Sequence, residues 1–384
     1  MQKAIVCIGG FWDGFSSRRQ HFMTRFADRG VPVLFVEPSQ SWNKLLSSDR
    51  LSPVFKPRTR RVKPGLTVLT PTMALPFRHG RLPSLIDHSS WSRQIRHALD
   101  DLGLTVGTLW IYDPRYSDAV RFLEPDNIVF DMVDDYILPE YGGRRLRPGT
   151  EWLLGNADLC VFTSPVLEGK YGARTRCHSV IPNGFDSLLF NTDDASPPAD
   201  WPFVTGPVIG FAGTLFKHVD FELLARAAEL ARERNGELLL IGKTDPDCTS
   251  RVESVVARGG RQLGHRPHAA LPAYMKRFSL CLAPFVSSKV SASVSPLKVY
   301  EYLACGRPVY ATGLDSLRQD PLAAAVLYAP EFTLEQALEH AIEFTSEESR
   351  ALSLSVAGAE WGSRFATLLK SLSVAGISLE HISR

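Results

Sequence analysis

The sequence predicts an α/β protein made of two doubly wound halves. Three observations predict it. Short apolar runs that end in glycine, residues 4–8 before Gly9-Gly10 and 208–212 before Gly213, have the pattern of parallel strands buried on both faces. Stretches with helical apolar spacing stand between such runs. The alternation occurs twice, on either side of a polar, proline-containing stretch at 191–202.

At 384 residues the chain has the length of about two domains. Its 44% hydrophobic and 22% charged residues exclude a disordered chain, and a net charge of +2 gives no general attraction for nucleic acid. Six cysteines without a CxxC or other metal-ligand spacing argue against a zinc site and a disulfide framework. Cys7, Cys160 and Cys281 lie within apolar runs and read as buried small hydrophobes. The run before Gly9 is too short for a secretory signal, and no run reaches the ~20 apolar residues of a membrane span. A cytoplasmic protein is expected, soluble or peripheral on the inner face of the cell membrane.

The first half opens with the strand at 4–8. A helix at 18–29 follows, with Phe22 and Phe26 on one face and Gly30 as its stop. A strand at 33–36 closes this first unit. Gly9 and Gly10 thus fall at a strand's C-terminal end, where open α/β sheets bind ligands, although two glycines equally suit a tight turn. Residues 41–90 are basic and rich in proline, with one short strand at 66–69. Lys56, Arg58, Arg60, Arg61 and Lys63 read as a loop marked by Pro53, Pro57 and Pro64. Alternation resumes with a helix at 91–102, a strand at 108–112, a helix at 116–123 and a strand at 128–132. That strand runs into Asp131, Asp134 and Asp135, beside a loop carrying Arg144, Arg145 and Arg147. Three carboxylates at a strand end suit a reactive site, or else cap the segment that follows. Strands at 159–163 and 179–181 complete the half.

In the second half, strands are expected at 208–212, 238–241, 280–283 and 309–312. Helices are expected at 221–234, 251–258, 272–278, 335–344 and 360–372. The stretch from Ser295 to Pro308 reads as a further short helix with both ends marked. Ser295 serves as its cap, Pro296 as its first residue, Gly306 as its stop and Pro308 as a bar to resumption. Free amides at such a helix start favour an anion. Lys298 sits in the first turn, where the dipole disfavours a cation, and shares a face with Glu301. One could meet a phosphate and the other a hydroxyl. A solvated Lys–Glu pair on an ordinary core helix has the same spacing.

Six segments carry a family likeness: Phe130 through Asp135, Ile181 through Asp186, Gly210 through Thr214, Leu240-Ile241-Gly242, Leu271 through Tyr274, and Ser295 through Pro308. Together, over nearly the whole chain, they resemble the GT-B glycosyltransferases, specifically the family 4-like group that builds bacterial polysaccharides and glycolipids. There is some similarity to the xanthan glucuronosyltransferase group. The resemblance implies two Rossmann-like domains facing across a cleft, with 1–186 binding the acceptor and 187–358 the nucleotide sugar. Residues 359–384, with Trp361 and Arg364 matching a W-x-x-R pattern, would form a helix crossing back to the first domain.

The resemblance also assigns roles. Gly213, Thr214, Lys217, Ser295, Lys298 and Glu301 would bind the donor, a UDP-sugar, and Lys298 would stabilise the leaving diphosphate. Asp134 would be the general base, with Gly9, Gly10, Asp131 and Asp135 lining the acceptor side. No metal or other cofactor is expected, because fixed cations and helix amides can stabilise the developing charge. The chain departs from the family pattern at Ser293, which replaces the first glutamate of Glu-x7-Glu, and in lacking an arginine to partner Lys217. The expected partners are a nucleotide sugar, a lipid-linked or saccharide acceptor and an anionic membrane surface, with no nucleic acid. Competing readings are a sugar-nucleotide 2-epimerase of the same architecture and a non-catalytic nucleotide-sugar-binding protein.

Overall fold

The computed structural model describes residues 1–13, 17–38, 57–72, 81–190 and 196–379. The chain divides into two compact units, the first comprising Met1–Thr163, Leu167–Ile181 and Phe365–Arg384, the second Ser164–Val166 and Pro182–Arg364.

The first unit is built on an eight-stranded sheet of order β3-β4-β2-β1-β5-β6-β7-β8. Its strands are β1 (Gln2–Ile8), β2 (Val33–Val36), β3 (Arg58–Lys63), β4 (Leu66–Thr70), β5 (Leu104–Ile111), β6 (Asn127–Met132), β7 (Leu159–Phe162) and β8 (His178–Val180). All pair in parallel except β3, which lies antiparallel to β4 at the edge. Burial on both faces explains why β1, β2 and β7 are apolar without alternation. The chain winds outward from β1 through β2, then returns past β1 to β5. The winding therefore reverses between β1 and β5, and the crevice at their C-terminal ends is where such sheets take ligands.

Helix α1 (Arg18–Asp28) buries Phe22 and Phe26, and Phe26 stacks edge-on against Trp110 at 5.6 Å between ring centroids. Helices α2 (Arg81–Asp101) and α3 (Gly143–Asn156) follow later in the unit. Two expectations are corrected here. The basic run from Arg58 to Lys63 is not a loop but strand β3, and its residues are almost all exposed. The flanking prolines bound the strand, and the Gly65 turn, at φ +78°, pairs it with β4. Lys56 lies outside the described residues. Likewise Arg144, Arg145 and Arg147 stand on the exposed face of α3, not on a loop.

The second unit has a six-stranded, all-parallel sheet of order β11-β10-β9-β12-β13-β14. Its strands are β9 (Val208–Ala212), β10 (Glu237–Ile241), β11 (Gly260–Gly264), β12 (Leu280–Pro284), β13 (Val309–Thr312) and β14 (Leu327–Tyr328). Here the winding reverses between β9 and β12. Helix α4 (Phe221–Glu233) follows β9, with the Asp220 carboxylate accepting from the Leu223 amide at 3.0 Å as its cap. Helix α5 (Leu297–Ala304) connects β12 to β13. The last helix, α6 (Trp361–Val374), begins in the second unit, and from Phe365 onward its residues belong to the first. There Phe365 packs 4.8 Å from the Phe26 ring centroid.

Candidate functional site

Helix α5 sits at the switch point of the second sheet. Its start is corrected: the helix begins at Leu297 with Pro296 as its N-cap residue, and no side chain caps it. Ser295 is engaged elsewhere, its hydroxyl accepting from the Asn183 amide (3.0 Å) and its carbonyl from Asn183 Nδ2 (2.8 Å). The Val299 amide donates to the Pro296 carbonyl at 3.2 Å, while those of Leu297 and Lys298 have no side-chain cap. The C-terminus ends as the sequence indicates. Gly306, at φ +67°, donates to Leu303, and Arg307 donates to Tyr302, the paired bonds of a left-handed stop.

Lys298 is half-buried, with Nζ 4.1 Å from the Phe211 ring centroid and 5.3 Å from that of Phe285. It donates no hydrogen bond and forms no ion pair among the described residues. Burial pulls its pKa from 10.5 down to about 8, against the opposing influence of the Glu301 charge. Gly213 makes room for it: a β-carbon there would lie 2.6 Å from Nζ, and φ is +148°. Gly242 must be small for a related reason, since a β-carbon there would come within 1.9 Å of the Gly213 carbonyl oxygen. The Tyr302 hydroxyl accepts from the Ala212 amide at 2.7 Å, pinning α5 to the end of β9. An unpaired ammonium is thereby held beside open helix amides at the mouth of a glycine turn, an arrangement that fits a bound phosphate.

The other predicted donor residues fall around this point. Glu301 is buried and accepts from His268 Nε2 at 2.8 Å. Thr214 and Lys217 are exposed on the loop after β9. The Ser293 hydroxyl donates to the Val290 carbonyl at 3.0 Å and holds the turn before α5. Three motifs separated in sequence lock together within this unit. Arg364 donates to the Asn183 carbonyl and to Asp320, both at 3.3 Å, and Asp320 also accepts from the Tyr300 hydroxyl. Asn183, Ser295, Tyr300 and Arg364 thus fix the orientation of α5.

In the first unit the three aspartates separate into different environments. Asp131 is fully buried, with both oxygens 2.9 Å from Arg18 Nε, and Arg18 Nη1 donates to the Ile181 carbonyl at 2.6 Å. Asp135 is also buried and accepts from the Tyr171 hydroxyl (2.6 Å) and Lys170 (3.1 Å). Asp134 is half-buried, and among the described residues its carboxylate accepts one hydrogen bond, from the Tyr141 hydroxyl at 2.9 Å. Burial raises its pKa, while the Tyr141 bond and the Arg19 charge act to lower it. Gly9 and Gly10 follow β1, and the side chain of Arg19 lies across them. His268, Arg18, Arg19 and Tyr141 escape a reading of the sequence. His268 stands three residues before the Leu271–Tyr274 segment and offered a nearby signal; the others had none.

Two open sheets, all-parallel in the second unit and parallel except for the edge strand β3 in the first, make up the GT-B fold. Residues 206–345 match the family model described as "Glycosyl transferases group 1". A Bacillus subtilis (strain 168) protein named for a glycosyltransferase role in teichuronic acid biosynthesis, TuaH, is 24% identical over 234 residues, covering 54% of this chain and 56% of that protein. The chain thus spans little more than half the length of that curated relative. Among solved structures, sucrose-phosphate synthase from Thermosynechococcus elongatus superposes with a TM-score of 0.69 at 16% identity, over 97% of this chain and 100% of that one. The Anabaena HepE protein in complex with UDP and glucose gives 0.65 at 16% identity, over 97% and 100%. At such identities the likeness concerns the fold.

Proposed function

We propose that this chain transfers a sugar from a nucleotide sugar, a UDP-sugar, to a lipid-linked or polysaccharide acceptor in bacterial exopolysaccharide, glycolipid or cell-envelope biosynthesis. The observation that carries this is the Lys298 ammonium, held over Phe211 and Phe285 beside the Gly213 turn with no hydrogen-bond or ion-pair partner among the described residues. A sugar–diphosphate bond breaks as negative charge gathers on the departing nucleotide. A fixed ammonium and oriented amides stabilise that charge with little reorganisation. Thr214 and Lys217 flank the diphosphate, Glu301 meets a ribose hydroxyl, and no metal is required. On the first unit, Asp134 takes the proton of the attacking hydroxyl. The UDP in complex with HepE and the role named for TuaH support this choice of donor and setting. The exposed Arg58 and Arg61 of β3, and separately Arg144 and Arg145 of α3, give the first unit two basic patches suited to anionic headgroups at the inner membrane face.

The test is incubation with UDP-, GDP- and dTDP-sugars, with and without a membrane extract and with chelator in parallel. UDP release that requires the extract and persists under chelation is expected. Conversion of donor alone would indicate the epimerase. A donor left unchanged in every mixture would leave a binding protein and refute the proposal.

A further inference from the structure

Arg18 and Arg19 are neighbours with opposite surroundings. Arg18 is enclosed and committed to Asp131 and the Ile181 carbonyl. Arg19 is half-buried, and among the described residues it donates no hydrogen bond and forms no ion pair. Its side chain crosses the Gly9-Gly10 turn so closely that a β-carbon on Gly10 would lie 2.4 Å from Nη1, and one on Gly9 2.9 Å from Cδ. The guanidinium carbon stands 5.8 Å from the Tyr112 ring centroid. Gly9 follows β1 and Tyr112 follows β5, so Arg19 occupies the switch point of the first sheet.

The neighbouring carboxylates have donors of their own, and buried Glu37, at the end of β2, accepts from the Trp12 amide (3.0 Å) and the Thr70 hydroxyl (2.6 Å). Asp131 has Arg18, Asp135 has Lys170 and Tyr171, and Asp113 has Arg115 at 2.9 Å. Asp134 is left with a neutral phenol as its donor, and the field of Arg19 reaches it. A guanidinium kept open at a ligand crevice presents a planar fork that fits a phosphate or carboxylate oxygen pair.

We propose that Arg19 anchors an oxyanion carried by the acceptor, so that the acceptor is an anionic molecule, phosphorylated or bearing a carboxylate. The anchor sets the attacking hydroxyl toward Asp134. This rests on the transferase reading, but its test does not require turnover.

The full chain is treated with phenylglyoxal, and modification of each arginine is followed by peptide mass spectrometry. Arg19 is expected to react in the free protein while Arg18 does not. Inorganic phosphate and acetate serve as probes for the two oxyanion classes. At about ten times its dissociation constant, a bound anion slows modification about tenfold. Stronger protection by phosphate identifies a phosphorylated acceptor, and stronger protection by acetate a carboxylate-bearing one. An unreactive Arg19, or one that neither anion protects, overturns the proposal. So does protection by UDP in the wild type that disappears in Lys298→Met, because the guanidinium would then belong to the donor. Failure of the donor assay above would leave the labelling result unaffected, so the two readings fail separately.

Discussion

Lys298→Met keeps an unbranched side chain over Phe211 and Phe285 while removing the ammonium. Burial holds the lysine pKa at about 8, below its ordinary 10.5. At about 1.4 kcal/mol per pH unit, this corresponds to about 3 kcal/mol against the charged form. Partial exposure and cation–π attraction reduce the net figure to about 1–2 kcal/mol. Methionine removes that cost and adds sulfur–ring contact. The variant should therefore melt higher at pH 7, by about 2–4 °C per kcal/mol for a unit of this size. The sign with pH follows from proton binding. Between about 8 and 10.5 the folded lysine has lost its proton and the unfolded one has not, so wild-type stability rises across this window. The gap between variant and wild type should shrink as pH goes from 7 to 9.5. Thermal melts at the two pH values are the assay. A variant that melts lower at pH 7, or a gap indifferent to pH, would refute the reasoning.

Asp134→Asn should lower turnover at least about a hundredfold with UDP affinity nearly unchanged. Burial raises the Asp134 pKa, so activity should fall as pH drops through that raised value. Tyr141→Phe removes a bond that favours the carboxylate and should shift this acid limb to higher pH, as a pH–rate profile would reveal. Asp131→Asn should instead act on stability, because it removes the carboxylate that pairs with the buried Arg18. A loss of about 3–5 kcal/mol in denaturant unfolding is expected, against little change for Asp134→Asn. The basic patches of β3 and α3 should bind anionic vesicles in a salt-sensitive way; equal partitioning onto neutral vesicles would remove the membrane argument.

The features legible in the sequence are those whose causes are local. Strands β1 and β9 announce themselves because burial on both faces leaves only apolar residues, ended by glycine. Lys298 stands out because a cation opposes the start of its own helix. Ser295 has a local appearance that misleads, since its hydroxyl is taken by Asn183, 112 positions away. The three aspartates look alike in sequence, and only Arg18, 113 positions from Asp131, separates a structural carboxylate from an available one. Strand β3 lacks apolar alternation because its place at the sheet edge leaves both faces wet. Strands β11 and β14 are short edge pieces that pairing with neighbours defines, not composition. Arg19 carries no signal of its own, because its significance lies in the partners it lacks.

The central claim is that the Lys298 ammonium receives the donor's diphosphate. The most direct test is calorimetric titration of UDP at pH 8 in two buffers of different ionisation enthalpy. With a free-protein pKa of about 8, roughly half the lysines are neutral at this pH. Phosphate contact favours the charged form, so binding should take up about half a proton in the wild type. Lys298→Met should show no such uptake and a much weaker affinity. UDP binding without proton uptake in the wild type, or with unchanged affinity in the variant, would contradict the account.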